Sequence, residues 1–342
     1  MQGVRFNWIM TVNSDLQACS FSGPLFLVGM PRSGTKLLRD LLNQHSHIAI
    51  PQIETEFLPG LINRYSSEKS YSRDEFRTLF AELIRFPYFT YLSASGFRFT
   101  ADEWYDACVE PNLAGIFEAL VRCSTGTVNQ RKVIWGDKSP SYINHIPLLK
   151  KVYPAAKFIH IVRDVRDYAI SISKAWGKNR LRATQRWADS LDAIERDLKA
   201  IEGDALVVRY EDLLDEHDPI LRRILDFLGL DFEERVLELC SAPENLGDTR
   251  GETRIVSGNK NKYKVMLRAE EIRSLEELAG ETLRRYGYES SYQGPRKRLS
   301  RSRQNYYQLL DAINMVKFEK NDRGYIGAVL FYWSYFKATR GL

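Results

Sequence analysis

A chain of 342 residues, 44% hydrophobic and 27% charged, has the composition of a globular protein with room for a buried core, which excludes long disorder, collagen-like repeats and coiled coil. Its 49 basic and 44 acidic side chains leave a net charge of +5, an excess that suits anionic ligands and is too small to point to nucleic acid. No apolar run reaches the roughly 18–20 residues a membrane-spanning helix needs; the longest candidate runs from Tyr325 to Phe336.

The N-terminal residues 1–15 carry polar side chains where a signal peptide has its apolar region, so the expectation is a cytoplasmic protein. Next come the predicted elements. Leu25–Gly29 (LFLVG) reads as a first strand, followed by a helix from Thr35 whose Leu37, Leu38, Leu41 and Leu42 recur at helical spacing. Residues 57–130 read as almost purely helical, with Ser72–Glu75 and Thr100–Glu103 as capping boxes. Further strands are expected at Val133–Trp135, Phe158–Val162 and Leu206–Val208. None of the four alternates strictly, which fits strands buried on both faces. Pro219 suits the first turn of a helix that runs to Leu228, with Gly229 as its stop.

The expected fold class is therefore α/β: a central, mainly parallel sheet of P-loop-like type flanked by helices. Residues 1–293 form this domain, and 57–130 interrupt it as a helical insertion, a cap over the ligand edge. A helical C-terminal extension, 294–342, opens with a basic linker (Gly294–Arg303) and continues in helices at Tyr306–Phe318 and Tyr325–Phe336. The second is apolar nearly all round. It either packs on the core or a partner subunit, as in a homodimer, or lies at a membrane interface beside the basic strip.

The four cysteines (Cys19, Cys108, Cys123, Cys240) are scattered, without a CxxC or a His-rich pairing. Neither a zinc site nor a disulfide framework is indicated, and no metal is expected.

Chemistry concentrates after the first strand. Gly29 and Gly34 permit a tight loop, and the amides of that loop and of the following helix N-terminus would face an anion. Arg32 adds a charged fork and Ser33 a hydroxyl. The spacing from Gly29 to Gly34 fits a nucleotide P-loop, but Thr35 occupies the lysine slot and Lys36 comes one place late. The strand Phe158–Val162 runs into Arg163, Asp164, Arg166 and Asp167, with Ser171 eight residues after Arg163. An NTPase strand often ends there in a magnesium-binding aspartate, whereas here the first polar residue is arginine. Arg163 with Ser171 suggests a second anion pocket; the alternative is mutual ion pairing of these four charges at the surface.

Together PRSGT, IVRDVRD with its later serine, and VVRYEDL (Val207–Leu213) resemble the sulfotransferases that use 3′-phosphoadenosine 5′-phosphosulfate (PAPS). The likeness covers roughly 22–60 and 130–288 and is closer to the bacterial, tyrosylprotein and carbohydrate branches than to the cytosolic small-molecule branch. It implies that Arg32, Ser33, Gly34, Thr35 and Lys36 hold the 5′-phosphosulfate, that Arg163 and Ser171 hold the 3′-phosphate, and that Tyr210 lies near the adenine. Thr253–Asn259 is similar to a late cofactor loop, implying contacts from Ser257, Gly258 and Asn259, although that loop's histidine and following proline are missing. Lys36 stands where the family usually has threonine or serine.

Glu54 and Glu56, in Pro51–Glu56, resemble a segment that supplies a general base, and Trp135–Pro140 resembles the segment carrying a catalytic lysine, here Lys138. Arg32 and Lys138 would meet charge growing on the bridging oxygen. Glu54 is the first choice of base and Glu56 the second; they would share a face on an extended segment and diverge on a helix. His145 and His160 are alternative bases. Trp176 and Trp187 read as packing residues. The partner is a hydroxyl- or amine-bearing acceptor (carbohydrate, lipid or small molecule), with Arg64, Tyr65, Arg85, Tyr88 and Trp104 as candidate contacts. The rival readings are a P-loop nucleotide kinase or NTPase, and a non-catalytic nucleotide-binding module.

Overall fold

The computed structural model describes residues 21–131, 133–244 and 246–340. The N-terminal segment and Cys19 lie outside the described residues. Five strands, β1 (Leu25–Gly29), β2 (Ile48–Ala49), β3 (Ile134–Lys138), β4 (Lys157–Val162) and β5 (Ala205–Arg209), form one parallel sheet in the order β2-β3-β1-β4-β5. The four expected strands are all present: β1 has the expected bounds, β4 and β5 are longer by one and two residues, and β3 starts one residue later and runs three residues further. β2 was not expected, because two residues are too short to leave a pattern.

Helix α1 (Thr35–Leu42) follows β1. The expected insertion is α2 (Leu58–Arg64), α3 (Arg73–Leu83), α4 (Pro87–Ala94), α5 (Ala101–Ala107) and α6 (Leu113–Thr125). Both capping boxes close as read, with Ser72 and Thr100 each accepting from the amide three residues on. Then come α7 (Ile146–Val152), α8 (Val165–Trp176), α9 (Arg180–Ala200), α10 (Tyr210–Asp215) and α11 (His217–Leu228), the last stopped by Gly229 at φ 74°. Helices α12 (Tyr263–Met266), α13 (Ala269–Ala279), α14 (Glu281–Arg285) and α15 (Arg301–Arg340) complete the chain.

Both faces of the sheet are buried, which is why its strands carry no strict alternation. Leu25, Leu27, Ile159 and Ile161 pack with Leu38 and Leu41 of α1 and with Leu213 and Ile224 of α10 and α11. On the other face Phe26, Val28 and Phe158 join Phe57, Phe76, Trp104, Phe117 and Trp187. The insertion thus contributes its large side chains to the same core cluster as one sheet face. Because all strands are parallel, their C-terminal ends share one edge. The central strand β1 has β3 on one side and β4 on the other, so a crevice opens at that edge beside β1, where ligands bind in open parallel sheets.

Helix α15 breaks at Gly324 (φ 68°, ψ 171°), giving the two expected rods. The first starts at Arg301, inside the basic strip. Its buried Asp311 accepts from the Asn179 amide and an Arg182 guanidinium nitrogen, both at 2.7 Å. The basic strip lies against α9: Arg296 pairs with Asp189 (2.7 Å) and Asp192 (2.6 Å).

Candidate active site

At the end of β1 the chain turns tightly, with the Ser33 amide on the Met30 carbonyl (3.1 Å) and both Arg32 (φ 72°) and Gly34 (φ 96°) left-handed. A Cβ at Gly34 would sit 2.3 Å from the Tyr210 ring, so this position excludes any side chain twice over, by conformation and by space. Thr35 then opens α1, whose first amides face the crevice edge.

Arg163 leaves the end of β4 and crosses to this loop. It donates to the Arg32 carbonyl (3.1 Å) and to the Asn259 carbonyl (2.9 Å), and its guanidinium lies 4.5 Å from the Tyr210 ring centroid. The Asn259 amide donates to the Tyr210 hydroxyl (2.7 Å). Arg32 points the same way, with Nε on the Ser171 hydroxyl (3.4 Å). One pocket is lined by Arg32, Gly34, Arg163, Ser171, Tyr210 and Asn259. Its rim holds Lys174 and Lys262, both paired with Asp248, and Glu244, which pairs with Arg32 at 2.7 Å.

Surface ion pairing does not account for the charges after β4. Arg163, Asp164, Arg166 and Asp167 are all buried. Arg166 takes Asp164 and Glu276, both at 2.6 Å, while Arg163 is held by carbonyls and a ring and keeps its charge uncompensated by those contacts. The buried Ser33 hydroxyl and Arg163 Nε have no hydrogen-bond partner among the described residues. Buried polar groups are normally satisfied, so two idle donors at this loop fit an anionic ligand.

The second group stands at the end of β3. The Lys138 side chain is closed off from solvent and paired with Glu54. Burial pushes its pKa down; Glu54 opposes that shift, while Arg39 and Lys36 add to it. Lys36 therefore lies within electrostatic reach of Lys138, and it does not line the Arg163 pocket. Thr55 fixes the loop that carries Glu54. Its hydroxyl donates to Asp137 and accepts from the Tyr142 hydroxyl (2.6 Å), which in turn accepts from the Leu58 amide (3.1 Å). Full burial holds the Asp137 carboxyl up at about 6, against the bonds from Thr55 and Ser139. Glu56 has φ 55°, and its amide donates to Ser139 Oγ (3.2 Å). The loop is thus neither extended nor helical, and Glu54 is the glutamate brought to Lys138.

Sequence reasoning missed Asp137, Thr55, Ser139 and Tyr142 as positioning residues. The Asp-Lys-Ser run at the strand end was the available signal. It also missed Glu244, Asp248 and the lysines on their side, which follow no motif. Ser257 and Gly258 lie outside the pocket lining, unlike Asn259. His160 is fully buried, with a pKa pushed down to about 4, and burial also lowers that of His145. Tyr88 and Trp104 are core residues, the latter donating to the Ile116 carbonyl (2.8 Å), so neither offers a surface to an acceptor. Arg64 and Tyr65 turn to Glu82 instead.

His45, His47 and Glu233 bring potential ligand atoms within 4.8 Å. Both ring nitrogens of His45 are already engaged, Nδ1 accepting from the His47 amide (3.0 Å) and Nε2 meeting the Asp231 carbonyl (2.9 Å). That pattern leaves His45 no lone pair for a cation.

The profile described as "Sulfotransferase family" matches residues 24–234. An uncharacterized protein of Aquifex aeolicus is 26% identical over 229 residues, 63% of this chain and 26% of that protein. Protein-tyrosine sulfotransferase A of Caenorhabditis elegans is 24% identical over 251 residues, 69% of this chain and 57% of that protein. The chain thus spans about a quarter and somewhat over half of these two relatives. Among solved structures, the sulfotransferase domain of the Synechococcus PCC 7002 olefin synthase is 22% identical with a TM-score of 0.48, over 81% of this chain and all of that one.

Proposed function

The chain belongs to the sulfotransferase family, and from that premise we propose that it transfers a sulfuryl group from PAPS to a hydroxyl or amine of a carbohydrate, lipid or small-molecule acceptor by in-line displacement. The observation that carries this reading is Arg163: a buried guanidinium held by two carbonyls and a tyrosine ring, with one nitrogen idle, opening on the pocket beside the glycine loop. Arg163 and Ser171 bind the 3′-phosphate, and Tyr210 packs against the adenine. The loop amides with Arg32, Ser33, Gly34 and Thr35 hold the 5′-phosphosulfate. Ser257 and Gly258 act only through the backbone they lend to Asn259.

Glu54 takes the acceptor proton, and Lys138 meets charge on the bridging oxygen as the bisphosphate leaves. The two are ion-paired in the described structure. A carboxylate bound to an ammonium is a poor base, so the donor must first draw Lys138 away. The arriving sulfuryl oxygens supply that pull, and Lys36 lies close enough to share it. Glu56, tied through its amide to Ser139, is the reserve base. A transferring sulfuryl group carries less negative charge than a phosphoryl group, so these cations suffice without a metal. The Glu54 loop runs directly into α2, so the acceptor faces the insertion, which acts as its cap. We assign the enzyme to a reducing, cytoplasmic setting, supported by Cys108, Cys123 and Cys240, all free thiols.

The test is transfer from PAPS labelled in the sulfuryl group across a panel of acceptors, read by mass gain, beside titration with adenosine 3′,5′-bisphosphate. Transfer with binding of the bisphosphate is expected. Magnesium-dependent ATP binding without bisphosphate affinity would move the chain to the NTPases, and bisphosphate binding without transfer to any acceptor would make it a binding module.

A further inference from the structure

The C-terminal helix carries an outward apolar surface that the sulfotransferase reading does not use. In the second rod Ala328 is fully buried, and Tyr332, one turn on, lies on the same side in electrostatic reach of Tyr91 and Arg323. At 3.6 residues per turn the opposite side is Ile326, Val329, Leu330 and Trp333. These are exposed, Ile326 at 79% and Leu330 at 61%. In the first rod Asp311 and Asn314 face inward to α8 and α9, the latter donating to the Gly177 carbonyl (2.8 Å). Tyr306, Leu309 and Ile313 point outward at helical spacing, and exposed Lys317 continues that stripe. Scattered exposed apolar residues need no explanation, but two rods with ordered outward stripes do.

Charge identifies the occupant. Among the described side chains of α15, Asp311 is buried against Arg182 and Glu319 is paired with Arg323. Arg301, Arg303 and Lys317 are exposed. The outward charge of the first rod is therefore cationic and lies at both ends of its apolar stripe, and the second rod adds exposed apolar and aromatic residues. Pairing this face with a second copy would bring like charges together. An anionic lipid surface removes that conflict, since it takes up apolar side chains and attracts the flanking lysine and arginine. Tyr306, Tyr325 and Trp333 are the residue types that settle at headgroup level. No described helix is long and apolar enough to cross a membrane, so the contact is one of lying on the surface. We propose that α15 docks the protein on anionic lipid membranes through Leu309, Ile313, Ile326, Val329 and Leu330, steered by Arg301, Arg303 and Lys317.

Flotation of the full chain with phosphatidylcholine vesicles, with and without added phosphatidylglycerol, tests this. The chain should float with the anionic vesicles, far less with the neutral ones, and less as salt rises. Ile326→Asp with Leu330→Asp should lower vesicle affinity by about tenfold or more, and Arg303→Glu with Lys317→Glu by a similar factor on anionic vesicles only. All four positions are exposed, and unchanged thermal melting with unchanged bisphosphate affinity verifies that the variants fold. Absence of flotation with anionic vesicles overturns the proposal. So does binding that ignores the Asp pair, or concentration-dependent self-association that the Asp pair abolishes while vesicle binding is absent.

Discussion

Arg163 and Lys138 close the two strands that flank β1, and they are held in opposite ways. Arg163 is fixed by two backbone carbonyls and the Tyr210 ring, with the Asp167 carboxylate in electrostatic reach, and it makes no direct ion pair among the described residues, so its guanidinium stays open to a ligand. Lys138 is fixed by Glu54, which cancels its charge. The first is a preorganised cation whose ligand needs no partner displaced. The second is a switch whose two members become useful only when separated. In the proposed function donor binding and chemistry fall to different strand ends, so substitutions at each should change different quantities.

The largest effect is expected at Lys138 and Glu54. A preorganised charge donor in a dry site is worth about 3–4 kcal/mol of barrier, so Lys138→Ala should cut turnover by about 10²–10³-fold. Bisphosphate affinity, measured by calorimetry, should hardly change. Glu54→Gln should lower turnover by about 10²–10⁴-fold. It also removes the group that raises the Lys138 pKa, leaving burial, Arg39 and Lys36 to depress it. Lys138 then loses its proton at a lower pH, so residual turnover of Glu54→Gln should fall with rising pH earlier than in the parent. Equal, small losses in affinity and turnover for both variants would break the division.

Arg163→Ala comes next. A hydrogen-bonded charge contributes about 1.5–3 kcal/mol, so bisphosphate affinity should weaken by about 10–100-fold. Turnover at saturating donor should survive. The Tyr210 ring and the Asn259 carbonyl also lose their partner, so melting is the control for a collapsed pocket. A turnover loss without an affinity loss would exchange the roles of the two strand ends.

The division was partly legible before the structure. The glycine loop and Arg163 are readable because each follows an apolar strand, and parallel strands deliver the residues after them to one edge; Lys138, the last residue of β3, was legible only through the likeness of Trp135–Pro140 to a family segment. What was not legible depends on contacts between distant segments. Thr55 reaches Asp137 across 82 positions, and Glu244 reaches Arg32 across 212. No periodicity encodes such pairs. Tyr88 and Trp104 were misjudged for a related reason: an aromatic residue on a short helix looks the same in sequence whether it faces a ligand or the core, and α4 and α5 turn these two to the core.

The smallest effect concerns the boundary between the two halves. Arg32 is expected to serve the donor, yet its guanidinium is clasped by the Glu244 carboxylate (2.7 Å) and the Leu246 carbonyl (2.9 Å), turned toward Ser171. That ion pair is largely buried, with side-chain exposures of 10% and 13%, so it is not a screened surface contact. A carboxylate there stands where a donor phosphate would compete for the same guanidinium, and an anion entering the pocket must displace it. Glu244→Gln keeps the shape and removes the competing charge, so bisphosphate should bind a few-fold more tightly, a modest gain because removing one member of a buried pair also leaves the other desolvated. Weaker binding would mean that Glu244 holds Arg32 in its productive direction. The Arg32 end of the pocket would then be as preorganised as Arg163, and the exchange of partners would be confined to Lys138.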